Sequence, residues 1–598
     1  MRRSLLLALL LAPTGCALNS LESFSEDSAR NQCTPDTVVE DCGEGAACNG
    51  GVCVAPQGDI DTVLFAITPP ASGGPIAGVR FLKTVAGLRE PSNSLLLGLE
   101  QPAHVTGWID GALPDGCEPQ VQATFTPSDE LLGLPATDYL TKSVSKCAGV
   151  ACAGFDVSLP AGDYDIYVYP AANDPTASVP PCWPPMLLRR TAIESGDVAF
   201  AIPAPVAQKL TVDVVWPPVD PLNKSSPPES LVGWSIDLLD RLSGHPVSRP
   251  VVLKDEGTAG DNGLYAADPG HYKAQVDYTQ VVETDYTSGE EVVRLRPPPE
   301  LETAPTLHWL REGLEVGSIQ GETKVKPDPL PAPITVAGWV ESPSKAHEQA
   351  SLSFTAKAID GIVGSFARHT VSVDTLADGS FAVQLLPGSY RVEAVPQSGV
   401  GLGAKHEEWT LGAEGYQAGR VVQLEDSATL SGVVSAGTPA GSPIGGAAVL
   451  AAATPSSVDV DPVARLTGNV PFLPRAENGA TGDDGSFEIG TDPGEFDVSV
   501  QPPEGSGFPW LVRPNVTVAV PGVGLGPLAV SLPILHRGKV ELSHAGIVSG
   551  ALIRAYVFVD ASGPVADPKA AQSVVGVAET RAGDDGSFTL LLPSKLSP

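Results

Sequence analysis

The segment at residues 378–395, D-G-S-F-A-V-Q-L-L-P-G-S-Y-R-V-E-A-V, most constrains what this chain can fold into. Asp378-Gly379 and Pro387-Gly388 are turn signals, because glycine adopts positive φ without steric cost and aspartate and proline favour turns. After each turn, side chains that face one way alternate with side chains that face the other. Such alternation is typical of strands with one buried face, and two strands joined by a turn predict a β-hairpin.

The unit recurs at a spacing of about one hundred residues, with an opening strand before it and a closing strand after it. Its first turn is copied at 484–487 and 585–588, and more loosely at 262–265. Its second turn is copied at 493–496, 269–272 and 161–164, the opening strand at 106–109, 210–216, 337–340, 431–434 and 537–540, and the closing strand at 198–202, 292–295, 421–424 and 528–532. A period of this length predicts a string of sandwich domains and not a solenoid of short repeats.

These motifs resemble the carboxypeptidase regulatory-like domain, most clearly at 334–425 and 427–533. The resemblance implies a transthyretin-like sandwich of seven strands without the zinc site of the associated peptidases. The last copy, from residue 536, stops at Leu592-Pro593 before any return or closing strand. We therefore expect that copy to be an incomplete sandwich with an unpaired edge.

The predicted fold class is all-β, with tandem Ig-like or transthyretin-like sandwiches joined by Pro-rich linkers after a short disulfide-rich knot. The predicted divisions are a signal peptide 1–16, a tether 17–32, a Cys-rich knot 33–53, an irregular β segment 59–103, sandwich 1 at 104–203, sandwich 2 at 205–297, a linker 298–333, sandwich 3 at 334–425, sandwich 4 at 427–533 and an incomplete sandwich 5 at 536–598. Alternating prolines near the end of the linker predict an extended spacer. We expect the sandwiches to form a stiff rod.

The first residues read as a targeting segment. Arg2 and Arg3 precede a short apolar run at 5–12 that is too short to span a bilayer. The sequence then resembles a bacterial lipoprotein signal, which implies a diacylglyceryl group on Cys16, and Ala17 after it implies the outer rather than the inner membrane. The alternative is ordinary cleavage near Ala17 and a freely secreted protein.

The other eight cysteines predict disulfides, because an even number in an exported chain pairs in an oxidising compartment. They form two groups of four: Cys33, Cys42, Cys48 and Cys53, then Cys117, Cys147, Cys152 and Cys182. Each group allows three connectivities. Zinc is the alternative for the first group, which has no C-x-x-C spacing and no histidine among its cysteines. That group resembles the short knots near the mature N-terminus of myxobacterial-type surface proteins.

No motif predicts catalysis, a metal site or a cofactor. The nine histidines are scattered and form no H-E-x-x-H, and no G-x-S-x-G elbow occurs. Asp483-Asp484-Gly485 offers two carboxylates, too few for calcium, so a turn is the preferred interpretation. Trp108 and Trp339 share one repeat position, which a third copy fills with lysine. That position therefore lies outside a deep core, on a sheet face or at a domain joint, where tryptophan can stack on sugars or proteins.

The net charge of −34 disfavours nucleic acid and anionic membrane surfaces as partners, because both require lysine and arginine to neutralise phosphate. We predict a non-enzymatic cell-surface lipoprotein, facing the periplasm or the cell exterior, that serves as a modular display and binding scaffold. The predicted partners are the membrane, through the N-terminal lipid, and a protein or polysaccharide ligand. The alternatives are a carbohydrate-binding adhesin and an accessory docking subunit of a surface enzyme or transporter.

Overall fold

The computed structural model describes most of the chain after residue 28. The described residues are 29–71, 76–111, 121–128, 133–135, 137–147, 150–170, 183–203, 208–215, 231–253, 271–278, 282–283, 289–299, 301, 304–314, 320–325, 328, 330–363, 365–397, 401–437, 441–454, 466, 468, 470, 472–543, 546–560, 563–565, 567–571 and 573–596. The signal peptide, Cys16 and residues 17–28 of the predicted tether lie outside this part of the chain.

The all-β prediction is confirmed: strands dominate, and the described residues contain one α-helix. The knot and the segment after it contain α1 (Val38–Cys42), β1 (Ala47–Asn49), β2 (Val52–Val54), β3 (Val63–Thr68), β4 (Phe81–Val85) and β5 (Ser92–Leu99). The first sandwich contains β6 (Ala103–Asp110), β7 (Val121–Pro127), β8 (Tyr139–Leu140), β9 (Lys142–Cys147), β10 (Val150–Leu159), β11 (Gly162–Pro170), β12 (Met186–Ile193) and β13 (Asp197–Pro203). The second contains β14 (Gln208–Val215), β15 (Ser235–Asp240), β16 (Val251–Val252), β17 (His271–Tyr278), β18 (Val282–Glu283), β19 (Gly289–Arg296), β20 (Thr306–Leu314) and β21 (Gln320–Val325).

The third sandwich contains β22 (Ile334–Glu341), β23 (Ala350–Ile359), β24 (Phe366–Arg368), β25 (Thr370–Asp374), β26 (Ser380–Leu385), β27 (Gly388–Pro396), β28 (Leu402–Gly403), β29 (Lys405–Leu411), β30 (Tyr416–Gln423) and β31 (Glu425–Asp426). The fourth contains β32 (Ala428–Ala436), β33 (Ala448–Ala453), β34 (Gly479–Ala480), β35 (Ser486–Thr491), β36 (Gly494–Gln501), β37 (Leu511–Val518) and β38 (Gly522–Val530). The last contains β39 (Pro533–Leu542), β40 (Gly546–Ile547), β41 (Leu552–Asp560), β42 (Gly563–Pro564), a 3-10 turn (Pro568–Ala570), β43 (Ser573–Arg581) and β44 (Ser587–Pro593).

The third sandwich shows the plan of the repeat. A sheet in the order β26-β22-β30 faces a sheet in the order β25-β23-β27-β29. The opening strand β22 is antiparallel to β26 and parallel to the closing strand β30. Large side chains from both sheets, including Phe354, Phe381 and Tyr390, are buried between them. The fourth sandwich has the same arrangement, with β35-β32-β38 facing β34-β33-β36-β37.

The predicted hairpin is wrong, because its two strands lie in opposite sheets. β26 pairs with β22, whereas β27 pairs with β23 and β29. Pro387-Gly388 therefore carries the chain from one sheet to the other, and both strands bury one face in the same core. Gly388 has a φ of 151°, and a Cβ there would lie 2.2 Å from the carbonyl oxygen of Ala358. The Tyr390 hydroxyl closes this corner by donating to the Leu386 carbonyl at 2.9 Å.

The second sandwich extends further than the sequence predicted. The 269–272 copy leads into β17, which pairs antiparallel with the opening strand β14, and the predicted closing strand 292–295 lies inside β19. β19 pairs with β15 and β20, and the actual closing strand is β21, parallel to β14. The predicted linker 298–333 therefore holds two strands of this sandwich. The sequence predicted a spacer here because proline is frequent in this segment. The structure instead shows β20 and β21, one in each sheet of the second sandwich.

The prediction of an incomplete last sandwich is also wrong, because the segment after the knot completes it. β5 lies parallel to β39 in the place of a closing strand, and β3 lies between β41 and β4 in the place of a return strand. The register shift of the closing strand falls at Gly538 here and at Gly338 in the third sandwich. Nine buried apolar residues of this segment join the last core: Val63, Phe65, Ile67, Ile76, Val79, Phe81, Leu88, Leu97 and Leu99. Residues 59–103 are thus part of the last sandwich and not a separate irregular segment.

Each sandwich has its own core, and contacts join the sandwiches into a closed circuit. The first and second sandwiches are joined by the parallel pairing of β12 with β18, and the second and third by the antiparallel pairing of β20 with β24. The third and fourth are joined by the hydrogen bond from Ala404 N to Asp492 Oδ1 at 2.7 Å, and Val512 of the fourth packs in the core of the last. The Tyr139 hydroxyl of the first sandwich donates to the Arg80 carbonyl at 3.2 Å. The last of these joins the last sandwich to the first. The expectation of a rod with separate ends is therefore wrong.

Candidate functional site

The repeat position of the two candidate tryptophans faces outward in the four copies occupied by Trp108, Trp339, Val433 and Lys539. Its occupants pair across the sheet with equivalent residues: Trp108 with Gly154, Trp339 with Ser380, Val433 with Ser486 and Lys539 with Ser587. Trp339 is 39% exposed and Val433 is 45% exposed, whereas Trp108 is half-buried. The structure thus places both tryptophans on the outer faces of sheets, in different sandwiches, and does not bring them together.

Trp339 is the more exposed of the two tryptophans. Its ring lies 6.2 Å from that of His347 at an interplanar angle of 23°, and the exposed Val421 is its cross-strand neighbour on β30. Nε2 of His347 lies 3.8 Å from a carboxylate oxygen of Glu341. We call Trp339, His347 and Val421 the Trp339 face. It combines a flat aromatic ring with polar groups at its margin, which is the chemistry that stacks on sugars or on partner side chains.

The knot is pinned by two disulfides, Cys33–Cys48 and Cys42–Cys53. This confirms the prediction of disulfides for the first group of cysteines and selects one of its three connectivities. Sulfur atoms of Cys33, Cys42 and Cys53 lie within 4.8 Å of one another, but all three belong to these bonds. Cys117 and Cys182 lie outside the described residues, so the pairing of the second group stays a prediction.

The knot packs where the fourth and last sandwiches meet. The Asn31 side-chain amide donates to the Cys53 carbonyl at 2.9 Å and to the Gly507 carbonyl of the fourth sandwich at 2.7 Å. Arg537, on β39 of the last sandwich, donates to Asn49 Oδ1 of the knot at 2.6 Å. Residues 29–32, which the sequence placed in a flexible tether, therefore belong to the folded structure.

The three Asp-Gly-Ser turns have one geometry. Oδ1 of Asp378, Asp484 and Asp585 each accepts bonds from the backbone N–H and the hydroxyl of the serine two residues later. These hydrogen bonds lower the pKa of each carboxyl below its usual value, since they favour the charged form. The carboxylates thus form turns, as the sequence indicated.

Buried ion pairs were missed by the sequence analysis, because their partners are distant in the chain. The Asp237 carboxylate accepts two hydrogen bonds from Arg294, at 2.8 and 2.5 Å, and one from Arg296 at 3.2 Å. Arg189 of the first sandwich pairs with Asp240 of the second, and both are buried. No local motif marks such residues; an arginine within an otherwise apolar strand was the only available signal.

No protein-family model matches this sequence, and no curated protein matches it. Several solved structures match. A streptococcal ancillary pilin is 13% identical over 55% of this chain and 99% of its own, with a TM-score of 0.18. The TIE protein of Bacillus anthracis is 10% identical over 69% of this chain and 68% of its own, at 0.16, and the major pilin subunit BcpA of Bacillus cereus is 10% identical over 55% and 100%, at 0.13. These likenesses carry no inference about activity or binding.

The architecture defines the chain as a multidomain β-sandwich protein with an oxidised N-terminal knot. Across the described residues, no helix combines the length and the apolar character needed to cross a membrane.

Proposed function

We propose that the protein is a non-enzymatic scaffold of the bacterial cell surface, held by a lipid on Cys16, that displays binding surfaces on its sandwiches. The observation that carries this proposal is the disulfide-bonded knot, which is hydrogen-bonded to the last sandwich and, through Asn31, to the fourth. Disulfides form and persist outside the reducing cytoplasm, so a knot built into the fold requires an oxidising compartment. The acidic surface keeps such a protein soluble and prevents nonspecific association with other anionic surfaces.

Mass spectrometry of the mature N-terminus tests the anchor, and protease treatment of intact cells tests the location. We expect an acylated Cys16 at the first mature position, and release of the Cys16→Ala variant from the membrane fraction. Protein that begins at Leu18 without a lipid would contradict the anchor. Protein with free thiols in the cytoplasm would contradict the surface location, and hydrolase activity of the purified protein would contradict the non-enzymatic role.

The Trp339 face supports a second candidate function, binding of carbohydrate. An exposed indole next to an imidazole can stack on the apolar face of a sugar ring while polar neighbours bind its hydroxyls. A glycan array with the wild type, Trp339→Ala and Val433→Ala tests this proposal. Val433 occupies the same repeat position in the fourth sandwich with similar exposure, so it is a matched control.

Binding that is lost with Trp339→Ala and kept with Val433→Ala is the expected result. No glycan binding, together with recovery of a surface enzyme or porin bound to the wild type and lost with Trp339→Ala, would replace carbohydrate by the docking role.

A further inference from the structure

A cavity of about 210 Å³ lies where the second, third and fourth sandwiches meet. Its polar lining includes Arg241, Arg294 and His308 from the second sandwich and Arg368 from the third, and Leu466 of the fourth sandwich closes one side. Such junctions between domains are common places for small-molecule sites, because several elements can direct polar groups at one point. Of the repeat motifs identified in the sequence, the predicted closing strand 292–295 contributes Arg294 to this lining.

The charge of the cavity is opposite to that of the protein. Three guanidinium groups line it, and no carboxylate does so among the residues that the structure describes. The whole chain has 36 lysines and arginines against 70 acidic residues, so three clustered arginines are a local reversal of charge. Asp237, which does not line the cavity, pairs with both Arg294 and Arg296, so a single carboxylate offsets two positive charges. Arg294 uses Nε and Nη2 in that pair, so Nη1 takes no part in it.

His308 supplies a second, independent sign of a ligand. It is only 3% exposed, and its Nδ1 has no hydrogen-bond partner within the described part of the chain. A hydrogen bond to the backbone of Phe366 engages the ring elsewhere. Burial, and to a smaller extent the charge of Arg294, lowers the pKa of His308 to about 4, so the ring is neutral at pH 7. A neutral imidazole whose other nitrogen carries the proton presents Nδ1 as a buried acceptor, which is costly unless a donor meets it.

We propose that this cavity binds a small oxyanion that also carries a hydroxyl group, with the arginines on the charged oxygens and His308 Nδ1 accepting from the hydroxyl. Guanidinium groups suit this role, because their planar fork of donors matches carboxylate and phosphate oxygens. Hydrogen phosphate and 2-hydroxy carboxylates have both features, whereas sulfate and simple carboxylates lack the donor. Because its lining comes from three sandwiches, the bound anion links them.

Isothermal titration of the full chain at pH 7.5 and fixed ionic strength tests the proposal with matched pairs of anions. Hydrogen phosphate, the main phosphate species at this pH, and sulfate have similar size and the same charge, and lactate and propionate differ by one hydroxyl. We expect one saturable site, with the hydroxyl-bearing member of at least one pair bound about tenfold or more tightly, since a buried unpaired acceptor costs a decade or more in affinity. The pair that shows this preference identifies the charged group as a phosphate or a carboxylate.

Arg368→Gln is the main variant, because Arg368 is exposed and its replacement leaves no cavity in a hydrophobic core. It should weaken binding about tenfold or more, since a charge-assisted bond is lost. Arg420→Gln, the same change on β30 and outside the cavity lining, should leave affinity unchanged. His308→Phe should keep binding but abolish the preference for the hydroxyl. Absence of saturable binding by the wild type, or equal weakening by Arg368→Gln and Arg420→Gln, would overturn the site, and equal affinities within both pairs would overturn the role of His308.

Discussion

Replacing Phe65 by alanine should destabilise strands that lie almost five hundred residues further along the chain. Phe65 is fully buried on β3, and it pairs with Ala555 of β41 in the core of the last sandwich. Truncation of a buried phenylalanine to alanine costs about 3–5 kcal/mol, because apolar contact is lost and a cavity remains. That is a large fraction of the roughly 5–15 kcal/mol that stabilises an ordinary domain.

Native-state hydrogen exchange followed by mass spectrometry can localise this loss. Amides of β41 and β43 should exchange about two to nearly four decades faster in Phe65→Ala, since each 1.4 kcal/mol is a factor of ten in the opening equilibrium. Amides of the third sandwich should be unchanged. Phe354→Ala, an equally buried phenylalanine of the third core, is the matched control and should have the reverse pattern. If Phe65→Ala exposed only residues 63–99 and left β41 protected, the shared sandwich would be refuted.

Three further changes test other parts of the fold. Gly338→Ala places a methyl group 1.9 Å from a backbone carbonyl oxygen and should cost about 1–3 kcal/mol or more in urea unfolding, whereas Gly412→Ala, with open space around it, should cost about 1 kcal/mol or less. Tyr390→Phe removes the 2.9 Å bond to Leu386 and should lower the unfolding free energy by about 0.5–1.5 kcal/mol, with unchanged near-ultraviolet dichroism. Burial lowers the pKa of His369 to about 4, so the unfolded chain binds this proton more readily; stability should fall as the pH drops from about 6.5 to about 4, and His369→Phe should flatten that slope in pH-dependent denaturation.

Local patterns predicted the strands well, because turn chemistry and period-two alternation act over a few residues. Asp378-Gly379 and Pro387-Gly388 lie at the ends of β26 and β27 as expected, and Gly338 lies in the opening strand β22 at the predicted place. The same pattern could not say that β26 and β27 lie in opposite sheets. A strand that turns one face inward has the same alternation whether its partner is beside it or across the core.

Long-range relations left no local signal at all. Nothing in residues 63–99 indicates that they pair with strands after residue 533, because pairing between distant strands depends on the edges that the rest of the chain leaves open. The oxyanion cavity was equally impossible to predict, since its lining comes from residues that are distant in the chain: 239, 241–244, 294, 308, 368 and 466. The outward position of Trp339 was predictable, because comparison of copies showed that the same site accepts lysine.

The sharing of one sandwich between the two halves of the polypeptide has a consequence for biogenesis. During synthesis, β3–β5 leave the ribosome hundreds of residues before β39 and β41, which they pair with in the folded protein. During that interval their strand edges are unpaired and their apolar side chains are exposed, because the strands that cover them have not yet been synthesised. Such a state is prone to mispairing and aggregation. The intervening sandwiches can fold meanwhile, so the last sandwich is completed only when β39–β44 have been synthesised. A holdase chaperone that shields β3–β5 until then should raise the yield of native protein.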